Sequence, residues 1–255
     1  MQRIAIAYAF GAVICLSFKR KQLFFVLGII VLGYWALLYF GSLVNPYALE
    51  ENIVRKFDLL VFGENHIYKG FGIRFDPEGL LSTIPSIATV ILGYLVGQSI
   101  SQETKVLAKT KKLLVFGMFL TLIGYLWGFV FPINKALWTS SYVFYTAGLG
   151  TLFLALLIYI IDFKGQVKWA KPFIHFGVNP LFIFVFSGLY VKTTRYLIKI
   201  PFQNTDISGY KYLYSQVFVP IAGNMNGSLL FALAHIVAYW LICFLLYKNK
   251  LFIKI

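Results

Sequence analysis

Residues 23–44 read LFFVLGIIVLGYWALLYFGSLV, 22 consecutive positions without a single Asp, Glu, Lys or Arg. A helix needs about 20 apolar residues to cross the hydrocarbon of a bilayer, so this stretch is long enough. Lys19, Arg20 and Lys21 stand just before it. One such block could be a buried core helix, but similar blocks occupy roughly 3–18, 80–100, 113–131, 139–161, 173–191 and 228–247. Together they predict seven spans. The expected fold class is all-α, a polytopic transmembrane helix bundle filling residues 1–255 as a single transmembrane domain.

Composition agrees. The chain is 60% hydrophobic and 13% charged, whereas soluble domains are about half apolar and about a quarter charged. Cys15 and Cys243 both lie inside apolar blocks, which gives no disulfide framework, and no Cys/His spacing suggests a metal. The net charge of +14 could suggest nucleic acid. Its placement excludes that reading. Lys19, Arg20 and Lys21 follow the first span, and Lys105, Lys109, Lys111 and Lys112 follow the third. Lys164, Lys168 and Lys171 follow the fifth, and Lys248, Lys250 and Lys254 lie in the tail. Only Glu103 and Asp162 oppose them. Cytoplasmic loops collect Lys and Arg, so these segments and the C-terminus are expected in the cytoplasm.

The opposite side carries the acids. Outer loop 45–79 holds Glu50, Glu51, Asp58, Glu64, Asp76 and Glu78, with Arg55, Lys56, Lys69 and Arg74 among them. Outer loop 192–227 is long, aromatic and moderately basic. Seven spans would put Met1 outside with no signal peptide ahead of it. That arrangement is expected of a fragment, or of a chain that further helices normally precede.

Phe75-Asp76-Pro77-Glu78-Gly79 opens the third span. Structurally, Asp76 is a good N-cap, Pro77 suits the first helical position, and Glu78 suits the positive end of the helix dipole. Functionally, the two carboxylates would sit at the membrane surface above a face formed by Ser82, Ser86, Thr89, Gly93 and Gly97. The pairs Gly93–Gly97 and Gly124–Gly128 have the four-residue spacing of close helix packing. His66, alone in the acidic loop, is either solvated or an acid–base group. His235, inside the last span, makes an interhelical hydrogen bond or belongs to a site. Asn179, followed by Pro180 and near His175, breaks the backbone ladder at the start of the sixth span and places an amide there. Trp138 reads as an interface anchor, Thr139 or Ser140 as a helix cap, and Lys135 as a counter-charge for a nearby carboxylate. Phosphate-cradling glycine loops, GxSxG nucleophiles and zinc motifs are absent from the sequence.

Several stretches together resemble the heparan-alpha-glucosaminide N-acetyltransferase family, including its bacterial members. They are Gln2-Arg3-Ile4-Ala5, Asp58-Leu59-Leu60, Gly63-Glu64-Asn65-His66-Ile67-Tyr68 and the run from Phe75 to Pro85. The runs Ile133 to Tyr142, Gly177 to Leu181 and Tyr247 to Ile255 complete the set. Asp-Pro-Glu-Gly and Asn-Lys-x-Leu-Trp are the most specific of them. The resemblance implies a membrane acyltransferase of the bacterial inner membrane. Acetyl would pass from acetyl-CoA on the cytoplasmic side to an amino sugar or glycan on the other, with no permanently bound cofactor. Asp76, Glu78, His66, Lys135, Ser140 and Asn179 are then the candidate substrate-binding residues. Asp76 and Glu78 would hold the amino sugar, Ser140 or Asn179 would donate hydrogen bonds, and the basic loops would attract the CoA phosphates.

The expected partners are the bilayer, acetyl-CoA and the acceptor, with a homodimer left open. The family's histidine-containing active-site segment lies in helices preceding the match to Gln2-Arg3. Nothing here matches it, so the resemblance assigns no catalytic residue, and a chain without that segment would be inactive alone. A solute transporter or permease, or a structural membrane subunit, is the rival reading, because Pro-broken helices and buried polar positions suit it too.

Overall fold

A computed structural model describes residues 2–42, 44–70, 72–202 and 205–253. Leu43 of the second expected span and Lys254 of the basic tail lie outside the described residues, as does Met1. Packing divides the chain into two compact units, Met1–Gly165 and Gln166–Ile255.

The first unit is built from α1 (Gln2–Ser17), α2 (Arg20–Gly41), α3 (Ile53–Phe62), α4 (Thr83–Gln102), α5 (Val106–Trp127) and α6 (Ser140–Ile158), which runs on through a π-helical turn, Tyr159–Phe163. α2 is apolar on every face, the pattern of a helix surrounded by lipid and other helices. α3 is different: Asn52 caps it by accepting the Arg55 N–H at 2.8 Å, and Gly63, at φ 71°, ends it. Large apolar side chains such as Leu16, Phe25, Phe40 and Phe129 point outward and are exposed. Such surface suits hydrocarbon rather than water.

The inner packing of this unit is layered. Tyr34, Val54, Phe75, Phe131 and Leu137 form a core beside the 45–79 loop. Leu27, Ala88, Leu92, Leu120 and Val143 follow it along the helices. α5 and α6 approach most closely. A Cβ on Gly124 would overlap the Tyr145 backbone, and one on Gly148 would overlap Thr121. The expected role of Gly124 is therefore met. Gly93 and Gly97 have open space where a Cβ would sit. Their spacing does not produce the close contact expected of it, because among the described residues nothing lies within 4 Å of a Cβ at either position.

In the second unit, α7 (Lys171–Val178) and α8 (Pro180–Lys192) meet at Asn179. There the apolar segment bends by 71°, as the missing Pro180 N–H requires of the ladder. The stretch expected as outer loop 192–227 is folded. It holds an antiparallel ribbon of β1 (Lys199–Phe202) and β2 (Thr205–Ser208), with Ile200 opposite Ile207. α9 (Gly209–Leu213) leads through a π-helical turn to α10 (Val219–Lys248), which is interrupted at Gly223 with φ 73°.

The protein is all-α in class. Among the described residues, four helices are long and apolar enough to cross a membrane, or five if the bent pair is one span. The expectation of seven differs for two physical reasons. α1 has 16 residues and at 1.5 Å per residue is about 24 Å long, short of the roughly 30 Å hydrocarbon thickness. The expected span 113–131 is not helical throughout, because α5 stops at Trp127 and a turn follows. Lys109, Lys111 and Lys112 occupy its first turns.

Candidate functional site

The polar centre of the first unit lies where the 45–79 loop meets the ends of α1, α4 and α6. Its two main members are Arg3 and Asp58, both buried. Asp58 sits one turn after Val54 on the buried face of α3. Its Oδ1 accepts the Leu80 N–H at 3.0 Å and approaches the Leu81 N–H at 3.5 Å. Only glycine fits at position 79, because a Cβ there would overlap the Asp58 carboxylate. Burial pushes the Asp58 carboxyl up to about 6. The Leu81 and Leu80 N–H groups oppose that rise, Asp76 adds to it, and Arg3 offsets it.

Arg3 donates from Nη2 to Ser82 Oγ. Its guanidinium lies over the Trp138 ring, 4.8 Å from the centroid, a favourable stacking of cation on aromatic face. The charges of Glu78, Asp76 and Asp58 all act on it. Arg3 Nε and Asp58 Oδ2 are shielded from solvent and have no hydrogen-bond partner among the described residues. Buried polar atoms of this kind are uncommon and mark places where a ligand or water completes the bonding.

Trp138 is held inward. Its indole N–H donates to Thr89 Oγ1 at 3.2 Å, so the expected interface anchor is a wall of this centre instead. Its φ of 52° is rare for a large side chain and costs about 1–3 kcal/mol. Neighbours impose it. Asn134 Oδ1 accepts from Ala136 and Leu137, the Leu137 carbonyl accepts the Tyr34 hydroxyl at 2.6 Å, and Thr139 caps α6.

The structure sorts the six candidates read from sequence. Asp76 lies in this centre, but it does not cap α4, which begins at Thr83 with Ser82 at its N-cap and no side-chain cap. Its Oδ1 accepts the Glu78 N–H at 2.8 Å within the turn, while Asp58 holds the Leu80–Leu81 segment that leads into α4. Glu78 lies beside it, exposed. His66 is exposed and bonds through Nδ1 to the Phe62 carbonyl at 3.0 Å, closing the end of α3. Lys135 is exposed on the turn before Trp138 and makes no ion pair among the described residues. Ser140 is buried, and its hydroxyl donates to the Val31 carbonyl at 2.7 Å, fastening α6 to α2.

Asn179 belongs to the second unit. It is buried, its Nδ2 donates to the Leu251 carbonyl at 3.0 Å, and its Oδ1 accepts the Ile253 N–H at 2.7 Å. The amide offered by the helix break is thus taken by the chain's own tail. In the same unit His235 Nδ1 lies 2.8 Å from the Phe231 carbonyl and must donate to it, so Nε2 accepts the Tyr190 hydroxyl at 3.0 Å. That is the interhelical bond weighed from sequence. His175 Nδ1 accepts the Trp240 indole N–H at 3.2 Å.

Arg3 and Asp58 were absent from the sequence candidates. Arg3 carried a signal, being the only charge in the block 3–18; an ionisable group inside a span is a functional candidate by default. Asp58 had a weaker one, as an acid four residues after Val54 on the apolar side of α3.

No family model matches the chain. It is similar to heparan-alpha-glucosaminide N-acetyltransferase of Homo sapiens, with 27% identity over 218 residues, covering 78% of this chain and 29% of that protein. It is similar to the Mus musculus protein of the same name, with 32% identity over 216 residues and the same shares. The chain therefore spans about 29% of the length of the curated relatives it matches.

Proposed function

We propose a function from one premise: the chain is related to the heparan-alpha-glucosaminide N-acetyltransferase family. In this reading it is part of a membrane-bound N-acetyltransferase that moves acetyl from acetyl-CoA to the amino group of a sugar or glycan. The observation that carries the reading is the similarity over 78% of the chain. The charge distribution supports it. The lysine-bearing ends of the spans would attract CoA phosphates in the cytoplasm of a bacterium. The Arg3–Asp58–Asp76–Glu78 centre lies at the other end of the helices.

An amine must be neutral to attack a thioester, so the acceptor amine needs a group to take its proton. Asp76 and Glu78 would hold the ammonium form at the mouth. Asp58, raised to about 6, is nearer to neutral working pH than an ordinary carboxylate. Arg3 would donate to a sugar oxygen from its Nε–H, which has no partner among the described residues. Ser140 and Asn179 have less to offer as donors, since the Ser140 proton and one Asn179 N–H are already engaged.

The rival reading is a permease, favoured by the 71° break at Asn179–Pro180. Membranes containing the protein joined to the preceding helices of a full-length relative, supplied with labelled acetyl-CoA and glucosamine, separate the two. Labelled N-acetylglucosamine is expected, with Asp76→Asn and Arg3→Gln raising the acceptor KM more than they lower kcat. Glucosamine taken up chemically unchanged, with no labelled product, would reject the transferase.

A further inference from the structure

Two apolar grooves flank the lysine end of α5, and both are lined by Lys111. One, about 490 Å³, runs under Lys112 along Val115, Phe116 and Phe119. The other, about 250 Å³, runs between Leu107 and Leu114 of α5 and Leu156 and Tyr159 of α6 and its π-turn. The helical spacing of these residues puts the grooves on adjoining faces of α5, with Lys111 on the ridge between them. From Lys111 to Phe119 is eight residues, about 12 Å of helix. One leaflet of hydrocarbon is about 15 Å thick.

The mouth of this double groove is cationic. Lys105, Lys109, Lys111, Lys112 and Lys164 are opposed by Glu103 and Asp162. Glu103 is already engaged by Lys112 at 2.5 Å, and Lys164 sits over the Tyr159 ring, 5.3 Å from its centroid. Among the described residues Lys111 makes no ion pair. Beneath these charges Val115, Phe119 and Leu156 are exposed and apolar. A soluble anion would use the lysines and leave the grooves empty. An uncharged lipid would fill the grooves and leave Lys111 without a counter-charge.

We propose that the lysine end of α5 binds one diacyl anionic phospholipid, its phosphate on Lys111 and one acyl chain in each groove. This site is separate from the Arg3–Asp58 centre and does not depend on the transferase reading. A basic residue near an anionic headgroup contributes about 1 kcal/mol, so losing Lys111 should weaken binding about fivefold.

The test is native mass spectrometry of the purified chain in neutral detergent, titrated with phosphatidylglycerol or with phosphatidylcholine of the same chains. Phosphatidylglycerol is expected to bind more tightly. Lys111→Gln should weaken it about fivefold, and Val115→Trp, which fills the larger groove without altering charge, should also weaken it. Lys248→Gln, in the second unit, should leave it unchanged. Equal binding of the two lipids would overturn the proposal. So would full phosphatidylglycerol binding in Val115→Trp, or its displacement by an equal concentration of glycerol phosphate, which has no chains.

Discussion

Asp58 and Leu80 are joined across 22 positions of sequence, the carboxylate accepting the Leu80 N–H at 3.0 Å. The bond ties the amphipathic helix of the 45–79 loop to the chain just before it becomes a long apolar helix. The donors it satisfies would otherwise be orphaned. Gly79 makes the approach possible by presenting no side chain to the carboxylate. The polar centre is therefore held by a contact between distant segments, and its geometry should respond to either partner.

Asp58→Ala should destabilise the protein by about 1–3 kcal/mol, because it leaves buried N–H groups without an acceptor. Asp58→Asn keeps an oxygen at the same place and should lose much less. Thermal unfolding of the purified protein in detergent measures both. Equal losses for the two variants would show that charge, rather than the accepted bonds, holds the loop.

The pH response of Asp58 has a defined sign. Its folded carboxyl lies at about 6, against about 3.9 for an unperturbed one. The folded state then binds more protons than the unfolded state between those values. Stability should fall as pH rises from about 4 to about 6 and level off above that. Melting temperatures across this range should contain a component that disappears in Asp58→Asn. A component that rises with pH and is lost in that variant would contradict the assignment.

These relationships set the limit of what sequence reading reveals. The apolar blocks are local, and a run of uncharged residues declares its helix unaided, as 23–44 does. The Asn179–Pro180 break is local too, since proline's missing donor acts on its own helix. Arg3, Ser82 and Trp138 meet only when three helices pack, and nothing in their neighbours encodes that meeting. Asp76 was credited with capping because it precedes the block, yet α4 begins seven residues later without a side-chain cap, and Asp58 of another helix holds the chain that leads into it. Span length suffered likewise: the apolar run 113–131 continues past the turn where the helix has already ended.

The glycines offer a sharp contrast between pattern and packing. Gly93 and Gly97 have the spacing of a contact motif and open space beside them. Gly124 and Gly148 face backbone of the opposite helix. Gly93→Ala should be neutral, or stabilising by up to about 1 kcal/mol through helix propensity. Gly124→Ala and Gly148→Ala should each lower the melting temperature, by pushing α5 and α6 apart. If Gly93→Ala proved as damaging as Gly148→Ala, α4 would have a close neighbour on that face.

Asn179 holds the chain's tail through both ends of its amide, giving an N–H to Leu251 and taking one from Ile253. Lys250, at φ 55°, turns the chain back toward it. Each bond contributes about 1 kcal/mol net. Asn179→Ala removes both and should raise hydrogen exchange at the Ile253 amide at least about fivefold. Asn179→Asp keeps the acceptor for Ile253 but sets a carboxylate oxygen against the Leu251 carbonyl. Its tail should be freed at Leu251 and retained at Ile253. The helices on either side of the break rely on Pro180 for the bend, so neither variant should alter protection in α8. Faster exchange throughout α8 in Asn179→Ala would mean that the tail supports the broken helix rather than merely resting on it.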